Sequence, residues 1–144
     1  MTESRAPGDP SDHMRALLAV LLPFARDAIA EHGDVYPFGA TMLPDGELQA
    51  AQTWEGTGVP AADDVLDAVR AGLRTRADRG ELLATGVVAG VAIEGGDFEL
   101  GIRVELEHRD AEPVTWVVPY RSDEESYDEG SPFTVASERH TWPG

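Results

Sequence analysis

The chain has 144 residues and no cysteine, and its 27 acidic residues outnumber 11 basic ones, for a formal net charge of −16. The length predicts a single domain with its own core, and the lack of cysteine excludes disulfides, thiolate metal sites and a cysteine nucleophile. The acidity disfavours nucleic acid and anionic membranes, whose phosphates it would repel, and it serves either solubility or recognition of a basic partner.

The first predicted element is a helix that follows a disordered, polar tail over residues 1–10. Ser11 is the predicted N-cap, because its hydroxyl can accept from first-turn amides. Apolar residues then recur with the 3.6-residue period of a helix until Gly33, which predicts the stop. Pro23 removes the hydrogen bond to Ala19 and therefore predicts a kink or two abutting helices.

A hairpin and a second helix come next. Extended runs over residues 35–43 and 48–53 flank Pro44-Asp45-Gly46, which is turn chemistry. A helix is predicted over residues 60–79, with an apolar stripe on one side. Its carboxyl end carries four arginines, which either complement the helix dipole or form a site for an anion or acidic partner: Arg70, Arg74, Arg76 and Arg79.

The strongest pattern is the alternation from Phe98 to Leu106, where even positions are apolar and odd positions are Glu, Gly or Arg. Side chains alternate across a strand, so this pattern predicts a central antiparallel strand with one face on a core and the other near water. Residues 82–93 and 114–120 are predicted to flank it in a meander. Residues 122–144 are acidic and predicted to be a largely irregular tail.

These elements predict an α+β domain over residues 11–121 in the order α-β-β-α-β-β-β. The simplest arrangement is one five-stranded antiparallel sheet with both helices packed on it. This element order resembles the roadblock/longin and profilin-like group of folds. Such folds serve many unrelated binding roles, so the resemblance implies an architecture and no activity.

Three short strings resemble those of a family of small bacterial proteins, in which similar strings recur in the same order. They are Tyr36-Pro37-Phe38-Gly39-Ala40, Glu105-Leu106-Glu107-His108-Arg109-Asp110 and Val118-Pro119-Tyr120-Arg121. The resemblance spans most of the domain and implies no activity for this chain.

No arrangement of catalytic residues stands out. The four histidines lack metal-ligand spacing, and the chain contains no HExxH, P-loop, GxGxxG or GxSxG motif. We therefore expect no catalytic residue, no metal and no cofactor. His108 closes the central strand and is either a core-rim residue or a general base. Glu105 and Glu107 could line a cleft, but Arg103 and Arg109 on the same face favour a ladder of cross-strand ion pairs.

The leading functional hypothesis is a cytoplasmic, non-catalytic protein-interaction module, of adaptor or immunity type, that binds a protein partner or forms a homodimer. No signal peptide or membrane segment is expected. The alternative is a small-ligand-binding protein or an enzyme with a pocket between sheet and helices near His108. The predicted contact residues for a ligand or partner are Tyr36, Phe38, Glu107, His108 and Tyr120.

Overall fold

The computed structural model describes residues 8–33, 35–51, 62–94, 96–123 and 125–142. These residues form an α+β fold with one antiparallel sheet, as predicted. The helices are α1 (Pro10–His32) and α2 (Ala62–Asp78). The strands are β1 (Phe38–Met42), β2 (Leu48–Ala51), β3 (Ala84–Ala92), β4 (Leu100–His108), β5 (Ala111–Ser122), β6 (Tyr127–Glu129) and β7 (Phe133–Val135).

The sheet has seven strands in the described residues, in the order β2-β1-β3-β4-β5-β6, with β7 also pairing with β5. The prediction of five strands is therefore wrong. The predicted element order also fails after β5, because two more strands, β6 and β7, follow it in the chain. β5 is long enough to pair with β4 along one edge and with two short strands along the other, β6 near Arg121 and β7 near Trp116. Three-residue strands leave too short an alternation to be recognised in an acidic segment.

Helix α1 begins two residues earlier than predicted, because Asp9 caps it instead of Ser11. The Asp9 side chain accepts from the Asp12 amide while the Asp12 side chain accepts from the Asp9 amide, which is a reciprocal capping box. Gly33 ends the helix as predicted, with φ at 77° and its amide donating to Ile29. Pro23 lies inside this single helix, so the expectation of two abutting helices is wrong. Residues 1–7 of the predicted tail lie outside the described residues.

The hairpin confirms the predicted turn, since β1 and β2 pair in antiparallel register from Gly39–Ala51 to Met42–Leu48. Gly46 adopts a φ of 95°, a backbone conformation that residues with a side chain rarely adopt. The predicted end of the second run and the predicted start of the second helix fall at residues 52–61, outside the described residues.

Helix α1 covers one face of the sheet and forms the larger core with the even-numbered residues of β4. Ile102 and Val104 are fully buried and Leu106 nearly so, as the alternation predicts. The alternation also predicts that Leu100 points inward with them, but Leu100 is 45% exposed, so that part of the prediction is wrong.

Helix α2 packs on the opposite face, so the sheet lies between the two helices. Val65, Val69 and Leu73 of α2 form a second core with Leu82 and Val87. The predicted solvent-facing side of β4 is therefore wrong: Glu105 is 6% exposed and Glu107 is 3% exposed. Neither described helix has the length and apolar character that a bilayer span requires.

Candidate functional site

The predicted contact residues do not meet at one place. Glu107 and His108 are neighbours on β4 and so point to opposite faces of the sheet. Glu107 contacts the C-terminal segment, whereas His108 contacts α1. Phe38 and His108 line two different cavities. The expected pocket of converging polar groups is therefore divided between separate parts of the fold.

His108 is 1% exposed and lies against His13 of α1, with His13 Nδ1 and His108 Nε2 2.9 Å apart. The backbone amide of Asp110 donates to the other nitrogen, His108 Nδ1, at 3.0 Å. Burial, and then the nearby His13, lower the pKa of His108 from its usual 6.5. Both nitrogens are thus engaged within the protein, and the adjoining cavity measures only about 160 Å³. This geometry gives little support to a general base.

Glu107 holds the C-terminal segment. Its carboxylate accepts from the backbone amides of His140 and Thr141, each at 2.9 Å, and from that of Trp142 at 3.5 Å. Consecutive amides pointing at one carboxylate compensate for removing its charge from water. Trp142 packs against the second core and so also fixes this segment, while Phe133 and Val135 of β7 are 41% and 38% exposed.

Tyr120 is 2% exposed, and its ring stacks on that of Tyr127 with centroids 6.0 Å apart and planes inclined by 24°. The Tyr127 hydroxyl donates to Glu129, which also receives two hydrogen bonds from Arg26 of α1 at 2.7 and 2.9 Å. The hydrogen bond from Arg26 holds the pKa of Glu129 below its usual value, and burial beside this carboxylate raises the pKa of Tyr127. These residues clamp α1 to β6, which is a structural role.

On the α2 face, Glu105 is bound by Arg70 through a bidentate contact and lies 3.4 Å from Arg103. The predicted cross-strand ion ladder is replaced by this helix-to-sheet cluster. Arg74 lines a polar cavity with Arg70 and Arg139, and Arg76 donates to Gln49. The three arginines of α2 are therefore distributed between an internal ion pair and the surface, and Arg79 lies one residue beyond the end of the helix and is exposed.

An apolar cleft of about 490 Å³ lies between α1 and the β1–β2 hairpin. It exists because α1 packs mainly over β3 and β4, so the outer strand β2 extends beyond the helix. We call it the α1–hairpin cleft. Its wall residues are Val20, Leu21, Phe24 and Ala28 from α1, Phe38, Gly39 and Ala40 from β1, and Leu48, Gln49 and Ala50 from β2.

Two large apolar side chains of this cleft are exposed. Phe24 is 61% exposed on α1, and Leu48 is 38% exposed on β2. Phe38 is the predicted contact residue that lies here, while Tyr36, 37% exposed, precedes the strand. Sequence reasoning missed Phe24 and Leu48. The signal for Phe24 was its position beside Pro23 and outside the apolar stripe of α1.

Acidic residues flank the α1–hairpin cleft. Asp27 follows Phe24 by one helical turn and Glu31 follows Ala28 by another; both acids are exposed. His32 is also near, but its ring lies 3.7 Å from Glu31. Arg26 is held by Glu129. An apolar cleft with an acidic rim suits a ligand that combines an apolar group with positive charge.

Among the described residues, no group of three or more histidine, aspartate or glutamate side chains is arranged to hold a metal ion. No protein-family model, no curated protein and no solved structure matches this chain. The α1–hairpin cleft and the charge around it are therefore the features of this structure that bear on function.

Proposed function

We propose that this protein is a cytoplasmic, non-catalytic interaction domain that binds a basic protein segment in the α1–hairpin cleft. The occupant is a segment that inserts an apolar side chain between Phe24 and Leu48 and places arginine or lysine beside Asp27 and Glu31. An adaptor or an immunity-type inhibitor would work in this way.

The observation that carries the proposal is the coincidence of exposed apolar groups with an acidic rim. Monomeric proteins seldom expose large apolar side chains around a concave surface unless it serves binding. The net charge of −16 makes the whole molecule attractive to a basic partner and raises the rate of encounter. The same charge makes two copies repel each other, so a basic partner is favoured over a homodimer.

The test uses displayed random peptides selected on the immobilised protein, with counter-selection on the Phe24→Ser variant. We expect the selected peptides to share an apolar residue flanked by arginine or lysine. Calorimetry with one such synthetic peptide should show binding about tenfold or more weaker for Phe24→Ser or Leu48→Ser, because each removes an apolar contact in the cleft.

The matched control is Phe133→Ser, which removes an exposed aromatic side chain from β7, outside the cleft. Its affinity should equal that of the unchanged protein. Asp27→Asn with Glu31→Gln should weaken binding and reduce its salt dependence, whereas Asp63→Asn on α2 should not. Neutral or acidic consensus peptides, or affinities unaffected by Phe24→Ser and Leu48→Ser, would overturn the proposal. Saturable binding of a fatty acid with no peptide preference would favour a small-ligand function instead.

A further inference from the structure

His13 and His108 are 95 positions apart, yet they form a buried pair at the junction of α1 with the β4–β5 turn. Their rings are nearly parallel, at 11°, with centroids 5.2 Å apart. That separation is close to the largest that a 2.9 Å contact between ring nitrogens allows, so the rings meet edge to edge. His13 is 7% exposed and His108 is 1% exposed. The pair is not part of the α1–hairpin cleft.

The backbone amide of Asp110 determines which atom donates and which accepts in each of these hydrogen bonds. The Asp110 amide can only donate, so His108 Nδ1 must accept and carry no proton. In the neutral ring the proton of His108 is then on Nε2, which donates to His13 Nδ1. His13 Nδ1 is therefore unprotonated as well. The chain of hydrogen bonds from Asp110 to His13 is complete only when both contacting Nδ1 atoms lack protons.

Among the described charged groups, Asp110 favours a proton on His108, but burial and His13 oppose it more strongly. Arg109 and Asp110 of the turn form an ion pair with each other at 3.2 Å. Arg139 donates to the backbone carbonyl of His108 from the C-terminal segment. On α1, Asp9 and Asp12 are exposed and engaged in the capping box. The other described cavity walls are uncharged: Gly8, Pro10, Pro44 and Leu83.

We propose that the His13–His108 pair is a pH-sensitive latch that holds the first turns of α1 on the β4–β5 turn and opens when it takes up one proton. A proton on His13 Nδ1 would face the N–H of His108 Nε2. His108 can accept a hydrogen bond from that proton only if its own proton moves from Nε2 to Nδ1. The new N–H at His108 Nδ1 then faces the amide N–H of Asp110. Either position places two donors against each other in a buried site, and the contact separates.

The direction of the pH effect follows from His108. Its pKa in the folded protein is lowered, mainly by burial, below the 6.5 of an exposed histidine. The unfolded chain therefore binds a proton first as the pH falls. The neutral pair therefore makes its full contribution to the free energy of unfolding above pH 6.5. That contribution is lost as the pH falls below 6.5, until the folded protein is also protonated. In that interval the folding equilibrium constant falls by up to about tenfold per pH unit for each proton.

Nitrogen-15 NMR of the histidine rings tests the arrangement directly. At neutral pH we expect His108 to carry its proton on Nε2, with a through-hydrogen-bond coupling to His13 Nδ1. Acidification should remove that coupling, and the protection of first-turn amides in α1 against hydrogen exchange should fall about tenfold or more relative to amides near Ile29. A His108 ring protonated on Nδ1 at neutral pH, or uniform loss of protection along α1, would overturn the latch.

Two variants separate titration from packing. His108→Asn keeps an acceptor for the Asp110 amide, and His108→Gln keeps a donor for His13, but neither side chain titrates. Each should have a flatter dependence of stability on pH between about 6.5 and 5 than the unchanged protein, whatever its stability at pH 8. His32→Gln, which changes an exposed histidine at the other end of α1, should still lose first-turn amide protection in acid as the unchanged protein does. Parallel pH profiles for the unchanged protein and both His108 variants would show that the pair is only structural. These readouts involve no partner, so they stand independently of the proposed function.

Discussion

Leu21 of α1 lies directly over Gly86 of β3, so closely that a Cβ atom added to Gly86 would overlap Leu21 Cδ1 and approach Leu106 Cδ2 to 3.3 Å. Leu21 is 1% exposed, and it also forms part of the α1–hairpin cleft. The missing side chain at Gly86 therefore sets how close α1 comes to the sheet.

Gly86→Ala is expected to lower the free energy of unfolding by about 1–3 kcal/mol, because the added methyl group overpacks the core. Urea denaturation measures the change. Gly72→Ala in α2 is the matched control, since nothing lies within 4 Å of its added Cβ; alanine there should stabilise by up to about 1 kcal/mol. Combining Gly86→Ala with Leu21→Ala should cost less than the sum of the two single changes. Additive losses would show that the overlap is not the cause.

Glu107→Gln should detach the C-terminal segment. An amide nitrogen would replace one of the oxygens that accept from the amides of His140 and Thr141, at a cost of about 2 kcal/mol. Faster hydrogen exchange at the Thr141 amide and a change in Trp142 fluorescence would report the release. Glu112→Gln, at an exposed position of β5, is the control and should change neither signal. Intact protection at Thr141 in Glu107→Gln would refute the assigned role.

Arg70→Ala should destabilise the protein by about 3 kcal/mol, because it leaves the buried Glu105 with only the more distant Arg103. Replacing both Arg70 and Glu105 with leucine should cost much less than Arg70→Ala, since no buried charge is left without its partner. Arg74→Ala, one turn further on the exposed side of α2, should change stability by less than about 0.5 kcal/mol. Denaturant titrations of the three variants measure these changes. A double leucine variant as unstable as Arg70→Ala would show that the ion pair itself is required for stability.

The ion pair between Arg26 and Glu129 is expected to stabilise the folded protein at neutral pH and to lose this effect in acid. The hydrogen bond from Arg26 lowers the pKa of Glu129, so this contribution is complete above the ordinary value of 4.5 and is lost as the pH falls through the lower folded value. Glu129→Gln should therefore cost about 1 kcal/mol at neutral pH and progressively less in acid. Asp128→Asn is the control, because its oxygen is 4.0 Å from Arg121 in an exposed pair. An equal cost for Glu129→Gln at all pH values would contradict the assignment.

Local patterns were sufficient for the two helices and for strands β1 to β5, but not for β6, β7 or the site. The alternation in β4, the Gly33 stop and the hairpin turn each act within a few residues, so the sequence predicts them. Phe38 was predicted as a contact residue, and it does line the cleft. Its partners Phe24 and Leu48 were not predicted, because their exposure depends on where α1 lies over the sheet.

The sequence by itself determined the class of the fold, since side-chain period and turn chemistry are properties of neighbouring residues. Only the tertiary structure decided that α2 buries the charged face of β4, that β6 and β7 extend the sheet, and that His13 meets His108. The physical reason is that burial and pairing depend on residues far apart in the chain. An alternating strand looks the same in sequence whether water or a helix covers its polar side.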